Sequence, residues 1–284
     1  MMWGMPDIEE VQALDDPWER MRRAHEQVVY HQTQGGEYAR IRREAIEDLI
    51  GRKVKQADIA RMLGVSSSRI SRLLSSAPKV ERALLGTGPV TISVGGKWEA
   101  AKEKPEAVVS RPMMRACTLL GSMCVDYELG LAAEDYEVVP PPGHVRLNRD
   151  NLIVMGSPRI LPLVGQVLES DEHLAFGCGP DGWYLVDQDS DTPYRSPSDR
   201  GEAADYGYIG RLPRPDGRGT FLYLAGIHAM GTLGTVQYLV SNIEDLYREV
   251  KTHRWSTIVE TRYNPADGTI VAAERVTPIH VVRQ

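Results

Sequence analysis

Two groups of residues in this chain have the types and spacing to do chemistry. The first is Ser66, Ser67, Ser68, Arg69, Ser71 and Arg72, with Lys53, Lys55 and Arg61 upstream. Short hydroxyls let a helix approach a base edge closely. An arginine can donate two hydrogen bonds to guanine or grip a phosphate. Lys53, Lys55 and Arg61 carry the charge to hold flanking phosphates, which adds salt-dependent affinity without reading sequence. The second group follows β-branched runs: Gly95, Gly96 and Lys97; Gly156, Ser157 and Arg159; Gly226, His228, Gly231 and Thr232. A glycine after a strand lets backbone come close to a ligand, and free N–H groups where a helix starts attract anions. Three such turns in one sheet would line a pocket for a nucleotide or phosphorylated metabolite. None is a complete GxxxxGK[ST] or GxGxxG motif.

The first group needs a helix to present it, and Lys55–Leu74, KQADIARMLGVSSSRISRLL, supplies one. Two short helices crossing steeply need a small residue at the contact, and Ala60 fits. They need a residue tolerant of positive φ in the turn, and Gly64 fits. Ile70 is the aliphatic plug, with Ile59, Leu63, Val65 and Leu73 completing a small core. Ser66 is placed to cap the second helix through its hydroxyl. The outward face is then Ser67, Ser68, Arg69, Ser71 and Arg72.

Ahead of this motif, Asp16-Pro17 reads as a helix start, and Trp18, Met21, His25, Val28 and Val29 form a helical stripe. Gly35-Gly36 is expected to end that helix. A second helix, about 38–50, would bury Ile41, Ala45, Leu49 and Ile50. Charge supports a distinct module. Residues 1–35 carry a balance of −4, residues 36–85 one of +5, and the remainder −7, for a total of −6. The local balance, not the total, is what DNA phosphates meet.

Beyond Leu85-Gly86-Thr87-Gly88-Pro89, a hinge, strands and helices alternate. Strands are expected at Val90–Val94, Tyr136–Val139, Leu152–Met155 and Phe221–Ala225. Helices are expected from Pro112 to about Leu129, after Gly156-Ser157-Pro158 to about Leu168, and after Gly226 to about Val240. Residues 173–211 read as short strands with polar loops, and 255–262 with 269–276 as a hairpin at Asp267-Gly268. The expected fold class is two-domain α+β and α/β. It has an all-α helix-turn-helix domain, 1–85, and a Rossmann-like mixed sheet with flanking helices, 86–284.

Several functions are disfavoured. No apolar run approaches the roughly 20 residues of a bilayer span, and MMWGMPDIEE lacks the pattern of a secretory leader. The three cysteines, Cys117, Cys124 and Cys178, form no CxxC pair. Neither a disulfide framework nor a zinc site is expected, and the set fits a reducing cytoplasm. Cys117 and Cys124 share an apolar helix face with Leu120 and read as core. The acidic stretch Asp187–Asp199 lacks the glycine and terminal glutamate of a calcium loop. His228 follows a strand, where a catalytic group could stand with Asp205, Asp187 or Glu134 as partner. No catalytic residue, metal or cofactor is assigned.

The segment 38–76 resembles the helix-turn-helix of sigma-factor region 4. Residues 80–284 resemble an actinobacterial family of regulators through Glu81–Pro89 (ERALLGTGP), Leu147–Val154, Gly210–Thr232 and Glu274–Ile279. The resemblance implies transcription regulation and names no ligand. The expectation is a cytoplasmic, homodimeric regulator that binds double-stranded DNA and senses a nucleotide-like ligand, with no membrane association. The alternatives are a nucleotide-processing enzyme carrying a DNA-targeting module and a protein that docks RNA polymerase or another partner without a ligand.

Overall fold

The computed structural model describes residues 8–99, 106–127, 129 and 136–282. The chain divides into two compact units, Met1–Val80 and Glu81–Gln284. The first is helical, and the second combines helices with a large mixed sheet.

The first unit contains α1 (Ile8–Gln12), α2 (Pro17–Gly51), α3 (Gln56–Leu63) and α4 (Ser67–Ser76). Asp16 caps α2 by accepting from the Trp18 backbone N–H at 3.0 Å, and Pro17 occupies the first turn, where no N–H is needed. The expected break at Gly35-Gly36 does not occur, and α2 runs unbroken for 35 residues. Glycine ends a helix where it turns left-handed, and neither of these glycines has a positive φ. Charged pairs one turn apart line the continuous helix. Arg40 bonds Glu37 and Glu44 at 2.9 and 3.2 Å, and Arg43 bonds Glu47 at 2.7 Å. The register of the buried stripe also differs from expectation. Ile46 is buried, whereas Ile41 and Ala45 are exposed, because the small core lies where α2 meets α4.

The second unit contains β1 (Thr91–Gly95), β2 (Lys97–Trp98), β3 (Ala107–Val108), α5 (Arg111–Asp126), β4 (Tyr136–Val139), β5 (Leu152–Met155), α6 (Pro162–Leu168), β6 (Leu174–Gly179), β7 (Gly182–Asp187), β8 (Thr192–Arg195), β9 (Ala204–Pro213), β10 (Thr220–Gly226), α7 (Ala229–Val250), β11 (Arg254–Tyr263), β12 (Ile270–Arg275) and β13 (His280–Val282). The main sheet has the order β12-β11-β9-β10-β5-β1-β4, with β13 also on β11. The run β10-β5-β1-β4 is parallel, and the strands beyond β10 are antiparallel. A parallel strand has both faces covered, and β5, LIVM, is buried at every position. β6, β7 and β8 form a separate three-stranded antiparallel sheet.

The core of this unit includes Val154, Leu161, Val164, Tyr208, Phe221 and Tyr223, all buried. α7 packs on β9, β10 and β11 and against α5.

Two helix boundaries differ from those read in the sequence. No helix starts directly after Gly156-Ser157-Pro158. The Ser157 carbonyl first closes a turn by accepting from Ile160 and Leu161 N–H, at 2.9 and 3.0 Å, and α6 starts only at Pro162. α7 continues past Val240 to Val250, burying Ile243, Leu246, Tyr247 and Val250. Asn242 marks the expected end with a non-helical φ of −129°, and its side-chain amide donates to the Tyr238 carbonyl at 2.8 Å. That bond compensates for the local break, so the helix resumes. Among the described residues no helix is long and apolar enough to cross a membrane.

Candidate functional site

In the first unit, Gly64 ends α3 with φ 66°, a left-handed conformation that a side chain would strain. Ala60 and Ile59 are buried on α3, and Ile70 and Leu73 on α4, with Ile70 at 0% exposure. Leu63, expected in this core, is 44% exposed. The turn at Gly64 brings Val65 back, its N–H donating to the Ala60 carbonyl at 3.0 Å. Val65 then packs on the core together with Leu49, Ile50 and Leu74.

The Ser66 hydroxyl caps α4 by accepting from the Arg69 backbone N–H at 3.3 Å, and it lies 3.0 Å from the Ser68 hydroxyl. With Ile70 and Leu73 turned inward, Ser67, Ser68, Arg69, Ser71 and Arg72 are all exposed. Lys53 and Lys55 are exposed as well. Arg61 is exposed and pairs with Asp58 at 3.1 Å, one turn away on α3. Such a surface pair is weak and easily exchanged for another anion.

In the second unit, β10, β5 and β1 are adjacent and parallel, so the turns that follow them open at one end of the sheet. A cavity of about 90 Å³ lies there. Gly95, Lys97, Gly156, Ser157, Arg159, Gly226, His228 and Thr232 line it, so eight of the ten residues expected to hold a ligand meet at one place. The other two do not line it. Gly96 donates its N–H to the Val139 carbonyl at 2.9 Å, continuing the β1–β4 pairing. Gly231 lies behind the cavity wall, where an added Cβ would stand 2.4 Å from the Tyr206 carbonyl oxygen. Ser110 and Met113, at the start of α5, also line the cavity; they follow no glycine turn, so a search for such turns could not find them. Lys97 and Arg159 are both exposed.

The start of α7 is already occupied by a carboxyl group of the chain's own. Asp205 on β9 is fully buried, and its Oδ2 accepts from the N–H of His228 at 3.0 Å and of Gly231 at 2.7 Å. Its Oδ1 accepts from the Tyr206 N–H at 2.9 Å. Burial pushes the Asp205 carboxyl above the ordinary carboxylate range, while the Ser196 hydroxyl, the His228 ring and the backbone N–H groups of Gly231 and His228 pull it back. The Thr232 hydroxyl is likewise engaged, accepting from the Gly226 N–H at 2.7 Å. The backbone here serves the helix–sheet junction before it serves any ligand.

His228 is only partly buried, and its Nε2 lies 2.8 Å from Asp199 Oδ1. Its ring partner is therefore Asp199, not Asp187 or Asp205. Asp187 instead holds the β7–β8 turn by accepting from Asp189 and Ser190 N–H at 3.0 and 3.4 Å. Glu134 lies outside the described residues. Cys117 and Cys124 are buried on α5, and burial pushes their thiols up to about 11 and about 12. Comparison with known protein families, curated proteins and solved structures finds no match.

Proposed function

We propose that this chain is a sequence-specific DNA-binding regulator of transcription, with a small anionic ligand bound by its mixed-sheet unit. The observation that carries the reading is the two-sidedness of α4. Ile70 and Leu73 are buried, while Arg69 and Arg72, each one position earlier, stand exposed among serines. A helix-turn-helix enters the major groove with such a second helix. The positive balance of residues 36–85 supports the same face.

Exposure of Trp18, at 76%, and of Met21, Val28 and Val29 along α2 supports a homodimer seam. A dimer would present two recognition helices about 34 Å apart. The resemblance of 38–76 to sigma-factor region 4 makes RNA polymerase a further candidate partner.

Lys97 and Arg159 beside the cavity favour an anion. Pockets that enclose a drug-sized ligand measure about 300–1,000 Å³. A cavity of about 90 Å³ would take the phosphate or carboxylate end of a nucleotide-like metabolite and leave the rest outside. Such a ligand controls DNA binding only if it prefers one arrangement of the paired helices over another.

Binding of the full-length protein to promoter fragments from its own locus tests the reading. Arg69→Ala with Arg72→Ala should abolish specific binding without unfolding the protein. A second reading rests on the His228–Asp199 pair beside the cavity, which has the form of an oriented general base. Nucleotide turnover lost on His228→Ala would favour an enzyme carrying a DNA-targeting module.

A further inference from the structure

We propose that His173, Asp189 and His280 bind a divalent transition-metal ion of the zinc type. His173 precedes β6, Asp189 lies in the turn between β7 and β8, and His280 opens β13. One ligand atom from each lies within 4.8 Å of the other two. His173 Nδ1 stands 2.8 Å, and His280 Nδ1 3.4 Å, from the same atom, Asp189 Oδ2. The two imidazoles stack with centroids 4.5 Å apart and planes 13° apart, and His173 Nδ1 is the one hydrogen-bonded to the Asp189 oxygen. Donors at about 2.0–2.2 Å from a tetrahedral zinc ion stand about 3.3–3.6 Å from one another, so binding would turn the imidazoles out of their stack until both Nδ1 lone pairs meet the ion.

The backbone holds all three in place. The His173 N–H donates to Asp171 Oδ1 at 3.0 Å, and the His173 carbonyl accepts from the Gln188 N–H at 2.7 Å. The Asp189 N–H donates to Asp187 Oδ1 at 3.0 Å, which fixes the turn. His280 pairs with Ser256 across β13 and β11. Its side chain is 10% exposed, and its Nε2 is buried without a hydrogen-bond partner among the described residues.

Two imidazole nitrogens and one carboxylate select zinc and its neighbours over calcium or magnesium, which prefer all-oxygen shells. Asp189 is 53% exposed, which leaves a side open for water as fourth ligand. The ion would fasten the three-stranded sheet to β13. The cysteine pattern pointed away from zinc because this donor set contains no cysteine.

The test uses full-length, tag-free protein stripped with a chelator. Titration with Co2+ should give one equivalent of four-coordinate visible absorption, which Zn2+ abolishes and millimolar Mg2+ or Ca2+ leaves unchanged. His173→Gln and Asp189→Asn, both at partly or fully exposed positions, should each weaken Co2+ binding at least about tenfold while the circular dichroism spectrum stays the same. No absorption at micromolar Co2+, competition by Mg2+, or unchanged binding in both variants would overturn the site.

Discussion

Asp205 Oδ2 lies 2.7 Å from the Gly231 backbone nitrogen, so a buried carboxyl group of β9 fills the place where an anionic ligand would meet the start of α7. The expectation that this helix start faces a ligand is thereby narrowed. The cations at Lys97 and Arg159 must do the attracting, and Asp205 holds the helix on the sheet.

That role predicts a stability effect. In Asp205→Asn, an amide NH2 replaces one oxygen, and at least one of the three N–H groups from Tyr206, His228 and Gly231 loses its acceptor. Urea unfolding should show a loss of about 1–3 kcal/mol. A change under about 0.5 kcal/mol would mean that these bonds are not what anchors α7.

The small helical core makes a second prediction. Ile70 has no exposure and sits among Ile46, Ile59, Ala60 and Leu73. Ile70→Ala should destabilise the first unit by about 2–5 kcal/mol. Loss of helical circular dichroism at lower temperature than wild type checks it.

Thiol reactivity should separate the cysteines. Cys178 is exposed, while Cys117 and Cys124 are buried with thiols raised to about 11 and about 12. Since the thiolate is the reactive form, raising the pH from 7 to 9 leaves both buried thiols about 99% protonated or more. Ellman's reagent should therefore titrate one thiol in the native protein across that range and three in denaturant. Three fast thiols in the native protein would contradict the packing of α5.

The cavity makes a prediction about ligands. A millimolar screen of nucleotides and phosphorylated metabolites by thermal shift should find a compound that raises the melting temperature, because a native-state ligand stabilises. Lys97→Ala with Arg159→Ala should remove the shift. A shift that survives both changes would place the ligand elsewhere.

Local patterns were legible in the sequence where short-range chemistry decides them. Gly64, Ser66 and Ile70 stand in the turn, cap and plug positions that their residue types favour. The strand–glycine turns of β1, β5 and β10 converge because parallel neighbours bring like ends together. What was not legible depends on partners distant in the chain. Asp199 meets His228 across 29 residues, and Asp205 meets Gly231 across 26. His280 meets Asp189 only because β13 pairs with β11. Gly35-Gly36 misled because a helix stop needs a left-handed residue, and composition alone does not show which glycine will adopt one.

The proposed DNA binding depends on Arg69 and Arg72 of α4. The most direct measurement is fluorescence anisotropy of labelled fragments from the protein's own promoter region, with wild type and the Arg69→Ala, Arg72→Ala double variant, at several salt concentrations. Wild type should bind one fragment far more tightly than scrambled DNA, with affinity falling as salt rises, and the folded double variant should lose that preference by roughly tenfold or more. Equal binding by the two proteins, or no preference by wild type for any fragment, would contradict the account.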